Sequence, residues 1–431
     1  MNQNTDKFKL ILMGVFIFFI LVGLIAFSTY KSKTSTSNNV NISIWGTLDK
    51  TSFDSYINKY KQDSNLQFQL TYSYKSLDTI DSQLVEAIAT GKAPDVILIP
   101  QNLIKRYLDK VYMITNIPQR TFQDTFVQES DLYTQPTGIF ALPFFVDPLV
   151  MYWNKDMFSS ALIVTPPTKW SEFPLLAEKL SKSDDNANIV KSAVSFGEFA
   201  NVDNAKALLS ALIMQAGSPI VLQTNGLFKS ELNYQSTSDI EMPAVSALDF
   251  FTDYSNPKKT VYSWNRSLPS SKQSFLSEDL ATYFGFASEY QDIKDKNPNL
   301  NFDVAMVPQV LDSSNKVTFG NIYGFAFLKS SQNIASAYSL ISLLIGSASV
   351  SELLQTMYIA PARLDLISAG TVDPVKTVFY NSALISRGWI DPDSKQTDQL
   401  FQDMVENITT GKMSSAASVS RTSLELDNLL Q

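Results

Sequence analysis

The chain has 431 residues, of which 34 are Lys or Arg, 42 are Asp or Glu, and none is Cys or His. Without Cys and His, disulfides, thiolate nucleophiles, a lipid anchor on cysteine, Ser-His-Asp triads and histidine metal ligands are excluded. The first 33 residues hold four Lys and one Asp, so residues 34–431 carry a net charge of −11. A body this acidic has no general attraction to nucleic acid or anionic lipid.

An apolar segment lies close to the N-terminus. Residues 10–27 are uncharged and are flanked by two Lys on each side. At about 1.5 Å of rise per residue they reach across a hydrocarbon core of roughly 30 Å, and they exceed the apolar region of an ordinary signal peptide. The segment predicts an uncleaved transmembrane anchor. A cleaved signal peptide is the alternative, because Ala26 and Ser28 are small residues at cleavage spacing. In either case the body is exported.

The next residues predict an alternation of strands and helices. Strands are expected at 41–45, at 66–74, where apolar and polar residues alternate, and at 95–99, a continuous apolar run. Helices are expected at 50–62 and 80–88, where apolar residues recur on one helical face. This order favours a doubly wound α/β arrangement around a parallel sheet.

The carboxyl ends of these strands are the first candidate site. In doubly wound sheets, ligands bind outside the carboxyl ends of the strands. That rule points to Trp45 and Thr47 after the first strand, and to Gln101 and Asn102 after the third.

Signatures of catalysis and of cofactor binding are absent from the sequence. It contains no G-x-G-x-x-G, no P-loop and no G-x-S-x-G. Asp147, Asp279 and Glu289 include a possible glycosidase pair, but solvated surface carboxylates are the favoured interpretation. We therefore predict no catalytic residues, no metal and no cofactor.

Three stretches carry a family resemblance. They are residues 91–97 (GKAPDVI), 138–158 (GIFALPFFVDPLVMYWNKDMF) and 166–172 (PPTKWSE). In this order they resemble the family 1 extracellular solute-binding proteins of ABC importers, the maltose-binding-protein-like group. Residues 359–363 and 401–411 resemble the closing helices of that family.

The resemblance implies an α/β, two-lobed periplasmic-binding-protein fold with a hinge and an interlobe cleft, preceded by one N-terminal transmembrane helix. The return crossing would be 319–324, whose glycines permit the backbone rotation of a hinge. The expected division is a cytoplasmic N-terminus at 1–9, an anchor or signal at 10–30, a tether at 31–40, lobe one at 41–145 plus 325–360, lobe two at 150–318, and C-terminal helices spanning both lobes at 361–431.

A carbohydrate is the first ligand that the resemblance implies. The high content of aromatic residues, 12%, agrees, because Trp and Tyr rings stack on the C–H faces of sugars. For each aromatic side chain, packing in the core is the competing interpretation. The expected ligand-binding residues lie at strand ends, at the two crossings and at aromatics with polar neighbours: Trp45, Thr47, Gln101, Phe144, Asp147, Trp264, Phe286, Tyr323, Arg363 and Trp389.

The predicted function is capture of a solute between two lobes and its delivery to the permease subunits of an ABC importer. The protein is expected to be a monomer on the outer side of the cell membrane, with no nucleic-acid partner. A membrane-anchored sensor that reads the same ligand is the main alternative. A polysaccharide hydrolase is the weaker one.

Overall fold

The computed structural model describes residues 40–62, 68–224, 226–235, 242–311 and 315–431. The expected anchor at 10–30 and all but the last residue of the tether at 31–40 lie outside these described residues. Within them, no single helix has both the length and the apolar character to cross a membrane. One pair, Ile334–Leu344 and Ser347–Thr356, meets that test jointly, and its two helices are bent by 63°.

The described residues form strands of two to thirteen residues. The strands are β1 Val40–Gly46, β2 Phe68–Tyr74, β3 Val96–Pro100, β4 Thr134–Gln135, β5 Gly138–Ile139, β6 Leu142–Asn154, β7 Lys182–Ser183, β8 Ile189–Val194, β9 Val221–Thr224, β10 Leu227–Ser230, β11 Leu280–Phe286, β12 Phe302–Met306, β13 Thr318–Phe327, β14 Ala360–Pro361 and β15 Ser386–Arg387.

Helices surround these strands, and several are only one or two turns long. The helices are α1 Lys50–Gln62, α2 Leu77–Ala89, α3 Ile104–Tyr107, α4 Gln119–Thr125, α5 Lys155–Ser160, α6 Phe173–Leu180, α7 Ala205–Ala216, α8 Pro243–Thr252, α9 Ser271–Leu276, α10 Glu289–Lys296, α11 Ile334–Leu344, α12 Ser347–Thr356, α13 Leu364–Ala369, α14 Pro374–Leu384, α15 Ser394–Thr409 and α16 Ser415–Leu430.

The main sheet has the strand order β2-β1-β3-β13-β6-β11-β8-β7. β1 runs parallel to both β2 and β3, as the sequence predicts. All five residues of β3 are buried, which fits its continuous apolar run. β13 is antiparallel to both β3 and β6, so the sheet is mixed and the predicted parallel arrangement holds only for its first strands.

Two long strands run through both halves of the sheet. β6 pairs with β13 over its first part, up to Pro148, and with β11 and β12 over the remainder. We call the half around β1–β3 lobe one and the half around β8, β11 and β12 lobe two. Where the two crossing strands meet, Asp147 lies opposite Asn321 and Pro148 lies opposite Gly320. We call this meeting point the hinge.

The helices distribute over the two halves. α11 and α12 pack on lobe one, against β1 and α1 respectively. α15 and α16 pack against α7 and α8 of lobe two, and β10 lies against α16. α14 contacts β6, β12 and β14, so it lies across the crossing region. The cleft between the halves is therefore bordered by the end of β3, by α7 and by the start of α15.

Candidate interlobe binding site

A cavity of about 660 Å³ lies between the two lobes. Its walls come from the residues after β3, the start of α7, the end of β11, the hinge part of β13 and the segment that leads into α15. The lining residues are Gln101, Asn102, Phe199, Ala200, Val202, Asn204, Ala205, Lys206, Ala207, Phe286, Phe319, Asn321, Trp389, Asp391, Ser394, Lys395, Asp398 and Gln402.

Aromatic side chains form part of this lining. Trp389 is 3% exposed, stacks on Phe401 with ring centroids 5.9 Å apart and planes 9° apart, and donates its indole N–H to Ser210 Oγ at 3.1 Å. Phe286 and Phe319 meet edge to face at 6.3 Å. Because these rings are fixed by their neighbours, they offer apolar surface to a ligand at little cost in side-chain entropy.

Lys206 is the centre of a polar network on the wall formed by α7. Its ammonium group lies 3.2 Å from Asp391 Oδ2 and 3.6 Å from Asp398 Oδ1. It also donates to the Ser394 carbonyl at 3.0 Å and to Thr397 Oγ1 at 3.1 Å. Lys206 side-chain exposure is 18%, so the ammonium is largely shielded, and its charge is compensated by the neighbouring carboxylates.

The geometry before α7 places Lys206 on this wall. Asn204, directly before the helix, adopts a left-handed conformation with φ of 60°. Its amide nitrogen donates to Glu289 Oε1 at 2.8 Å and to Tyr283 Oη at 3.2 Å, which compensates for the backbone strain. These bonds fix the first turn of α7, and with it Lys206, against the cavity.

Asn102 supplies an unused hydrogen-bonding group at the cavity. Its amide nitrogen donates to Ser394 Oγ at 3.0 Å, so the loop after β3 is joined to the start of α15. Its amide oxygen is buried and has no hydrogen-bond partner within the described part of the chain. A buried acceptor of this kind costs free energy until a donor reaches it.

Comparisons with known proteins identify the family. The family model for bacterial extracellular solute-binding proteins matches residues 55–376. This chain belongs to that family. The resemblance predicted from the sequence is thereby confirmed, and membership places the body of this solute-binding protein outside the cytoplasm.

Solved structures agree on the fold. A cyclo/maltodextrin-binding protein complexed with maltotetraose superposes with a TM-score of 0.73 at 14% identity, covering 92% of this chain and 98% of that one. An ABC transporter solute-binding protein from Thermotoga lettingae TMO, bound with α-D-tagatose, gives 0.67 at 16% identity, covering 91% and 100%. The two-lobed α/β fold is thus shown. No curated protein sequence matches the chain.

Three of the ten predicted ligand residues line the cavity of this solute-binding protein: Gln101, Phe286 and Trp389. The role expected for Gln101 differs from its contacts. Its amide nitrogen donates to the Gly320 carbonyl at 2.7 Å, and its amide oxygen accepts from the Ile322 N–H. The Gln101 side chain, which the sequence predicts to bind a ligand hydroxyl, therefore holds the hinge strand in this structure.

Two aromatic residues that the sequence predicts as ligand-binding are packed in the core. Phe144 is fully buried and lies 4.9 Å from the ring of Phe325. Trp264 is 1% exposed and donates its indole N–H to Asn201 Oδ1 at 3.1 Å. Neither side chain lines the cavity, so the competing core interpretation describes both.

The other predicted residues lie at the hinge or away from the cavity. Tyr323 stacks on Phe145 at 4.5 Å within the crossing strands. Trp45 and Thr47 are half-buried at the end of β1, with the Lys75 ammonium 4.1 Å above the Trp45 ring. Arg363 makes a two-bond pair with Asp365, at 2.9 and 2.8 Å. None of these four predicted residues is part of the cavity wall.

Asp147 is a buried hinge carboxylate. It accepts from the Ser288 N–H at 2.9 Å and from Ser288 Oγ at 2.6 Å. Burial raises the pKa of Asp147 to about 7, although the bonds from Ser288 act to lower it. Because both oxygens are bound to lobe two, this side chain ties the first crossing strand to the end of β11.

Sequence reasoning missed most of the polar wall. Asn102 is predicted as a candidate because it follows the carboxyl end of β3, and Asn321 lies inside the predicted return crossing. Lys206, Asp391 and the first residues of α15 had no such indication, because they reach the cavity only through tertiary packing. Within the described ranges, no group of three or more carboxylates is placed to hold a metal ion.

Proposed function

We propose that this solute-binding protein captures a carbohydrate between its two lobes and delivers it to an ABC importer. The observation that carries the proposal is the interlobe cavity of about 660 Å³, which combines fixed aromatic rings with hydrogen-bonding side chains. Sugars need this combination, since their C–H faces are apolar and their hydroxyl groups require partners.

The charge of the cavity supports an uncharged ligand. The lining contains two lysines and two aspartates, whose charges sum to zero. Lys206 is paired with Asp391 and Asp398, and Lys395 offsets the second carboxylate, so the wall has no strong field of one sign. Asn102, Asn321 and Gln402 add neutral amides to the lining. A neutral polyhydroxylated solute fits this wall better than a strongly charged one.

Similar structures support the same ligand class and partner. One of the proteins similar in fold holds maltotetraose, and another is an ABC transporter solute-binding protein that holds α-D-tagatose. For the present chain, we extend this to permease subunits that read the closed state of the two lobes.

We propose that the cavity binds its ligand without catalysing a reaction. The two cavity carboxylates, Asp391 and Asp398, both lie within ion-pair distance of Lys206. Asp391 also accepts from Thr397 Oγ1 at 2.9 Å. Carboxylates engaged in this way are poorly suited to the paired acid and nucleophile roles of a glycosidase.

The division into lobes is part of the proposal. Residues 41–145 plus 325–360 would form lobe one and 150–318 lobe two, with 361–431 spanning both. The packing of α14 across the crossing strands and of α15 and α16 on lobe two supports this division. Opening would then rotate the lobes about the paired crossings near Asp147 and Asn321.

We also propose that residues 10–30 anchor the protein in the membrane and that it works as a monomer. The uncharged run at 10–27 between basic flanks supports the anchor. Full-length protein should stay with membranes after a high-salt wash. Release as a shorter species would mean signal cleavage instead. Sedimentation velocity in detergent should give one protein chain per particle.

A ligand screen by intrinsic fluorescence tests the proposed function. Trp389 lines the cavity and provides a reporter, so binding should change the emission of the full-length protein. We expect a saturable change with a mono- or oligosaccharide, maltotetraose and tagatose being the first probes. A response to peptides or polyamines with none to sugars would overturn the carbohydrate assignment while leaving a solute-binding role.

The partner is tested separately, by affinity purification of the membrane-anchored protein. We expect two permease subunits and an ATPase to be recovered with it when ligand is present. Recovery of a membrane sensor in their place would favour the receptor alternative.

A further inference from the structure

The β9–β10 hairpin and the end of α16 form one unit on lobe two. Ser230 in β10 donates its N–H to Asp427 Oδ1 at 2.6 Å, and its hydroxyl lies 2.9 Å from Ser423 Oγ. Both partners lie on α16, which itself packs against α8. The hairpin therefore moves with lobe two.

This unit contacts lobe one through Lys105, which lies in α3, shortly after the cavity residues Gln101 and Asn102 that follow β3. The Lys105 ammonium donates to the Leu430 carbonyl at 2.6 Å and lies 5.4 Å from the centre of the Phe228 ring. A lysine at the carboxyl end of a helix is favoured by the helix dipole, and the aromatic face adds a cation–π contribution.

A second contact joins lobe one to the same hairpin. Gln223 in β9 donates its amide nitrogen to Gln135 Oε1 at 2.9 Å. Gln135 is buried, and its own amide nitrogen donates to the Leu132 carbonyl at 3.3 Å. This second bond fixes the amide so that its oxygen faces the hairpin.

We propose that these two contacts form a clasp, defined by Lys105 and Gln135 on lobe one with Gln223, Phe228 and Leu430 on lobe two, which holds the lobes together without ligand. The clasp joins groups on opposite lobes, so it exists only while the lobes are close. Its bonds need no ligand atom. It therefore raises the population of the closed state before any solute binds, and it must break before a solute enters or leaves.

The test measures the distance between the lobes in ligand-free protein. Since the chain has no Cys, Asp109→Cys on lobe one and Lys412→Cys on lobe two introduce a unique pair of exposed labelling sites. Spin labels on the full-length protein in detergent micelles then report the distance distribution by pulsed electron–electron double resonance. We expect a single short-distance population in the parent pair, and a shift to longer distances in Lys105→Met with Gln135→Ala.

A matched control removes the same two residue types without touching the clasp. Lys296 and Gln291 lie on α10, where they bond to Asp292 and Asp295 of the same helix. Lys296→Met with Gln291→Ala should leave the distribution unchanged. The single variants Gln135→Ala and Gln223→Ala remove the second contact from lobe one and from the hairpin, respectively. Both should shift the distance distribution by the same amount.

Two results would overturn the proposal. One is a clasp variant whose distances superimpose on those of the parent pair, with circular dichroism confirming that both are folded. The other is a parent protein whose lobes are already far apart without ligand. Neither result depends on which solute binds, so failure of the clasp is distinguishable from failure of the proposed function.

Discussion

At the scale of single residues, Glu129 is the clearest departure from ordinary packing. It is 1% exposed, and neither carboxyl oxygen has a hydrogen-bond partner within the described chain. Burial raises the pKa of Glu129 to about 8, and the nearby charge of Asp147 adds to this, while Arg387 opposes it. The side chain is therefore mostly protonated at neutral pH and adds no full charge to the hinge.

The variant Glu129→Gln tests this protonation. The folded state keeps a proton that the unfolded state releases above its ordinary pKa of 4.5, so the wild type loses stability as pH rises from about 4.5 to about 8. Gln cannot ionise, so the variant avoids this loss and should gain about 3 kcal/mol relative to wild type between pH 4.5 and pH 7. Urea unfolding at a series of pH values measures the difference.

The exposed residue Glu86 provides the control for this prediction. Glu86→Gln removes the same type of charge from a solvated position and should follow the wild-type pH dependence. A Glu129→Gln protein whose stability falls with pH as steeply as the wild type would show that the carboxyl group is solvated or ionised in the folded state.

Two tryptophan variants test whether the sugar binds in the cavity or at the carboxyl end of β1, where the sequence predicts Trp45 as a ligand residue. Trp389 lines the cavity, whereas Trp45 does not. We expect Trp389→Leu to weaken binding of the sugar found in the screen by at least about tenfold, which corresponds to about 1.4 kcal/mol of lost stacking. Trp45→Leu should leave affinity within about twofold. Isothermal titration calorimetry measures both, and a larger loss in Trp45→Leu would contradict the assignment of the site.

At the scale of elements, Asp95 joins three segments of lobe one. Its Oδ2 accepts from the Ser43 N–H at 2.9 Å and from Ser43 Oγ at 2.8 Å, in β1. Its Oδ1 accepts from Ser331 Oγ at 2.6 Å and from Asn333 Nδ2 at 3.2 Å, beyond β13. The Asp of the GKAPD stretch thus joins β1, the start of β3 and the segment after β13, which belong to neighbouring strands of the sheet.

We expect Asp95→Ala to destabilise the protein by about 2–4 kcal/mol, because several donors lose one shared acceptor. Burial alone raises the pKa of Asp95, but the bonds from Ser331, Ser43 and Asn333 outweigh it and lower the pKa below 3.8. The stabilising effect is therefore present above the ordinary pKa and is lost as pH falls through the lowered value. Thermal unfolding at pH 7 and at pH 3 should show a smaller difference between variant and wild type at pH 3 than at pH 7.

Local patterns predicted β1, β2 and β3 and the helices between them, because the alternation and the continuous apolar run are properties of short segments. The insertion of β13 between β3 and β6 was not readable from periodicity, since it depends on pairing across more than 200 residues. The same reason explains which cavity residues could be predicted from the sequence. Asn102 follows a predictable strand end, whereas Lys206 and Ser394 meet it only after α7 and α15 pack together.

At the scale of the whole molecule, the paired crossings determine how the lobes move relative to each other. Gly320 lies opposite Pro148, and its carbonyl accepts from Gln101. A methyl group at Gly320 would lie 2.7 Å from Glu129 Oε2 and 2.7 Å from Ser386 Oγ. The absence of a side chain at this position allows a buried carboxyl group to pack directly on the hinge backbone.

Gly320→Ala should therefore displace the hinge strand and destabilise the protein by about 1–3 kcal/mol, as overpacking of a tight site does. If the clash with Glu129 is the main cause, the same substitution in a Glu129→Ala background should cost at least about 0.5 kcal/mol less, because the two sites are in contact. Some cost should remain, since Ser386 still occupies its place. Urea unfolding of the four proteins of this double-mutant cycle measures the coupling. Strictly additive losses would mean that Glu129 does not pack against Gly320 in solution, and the hinge would then have room to rotate without moving that side chain.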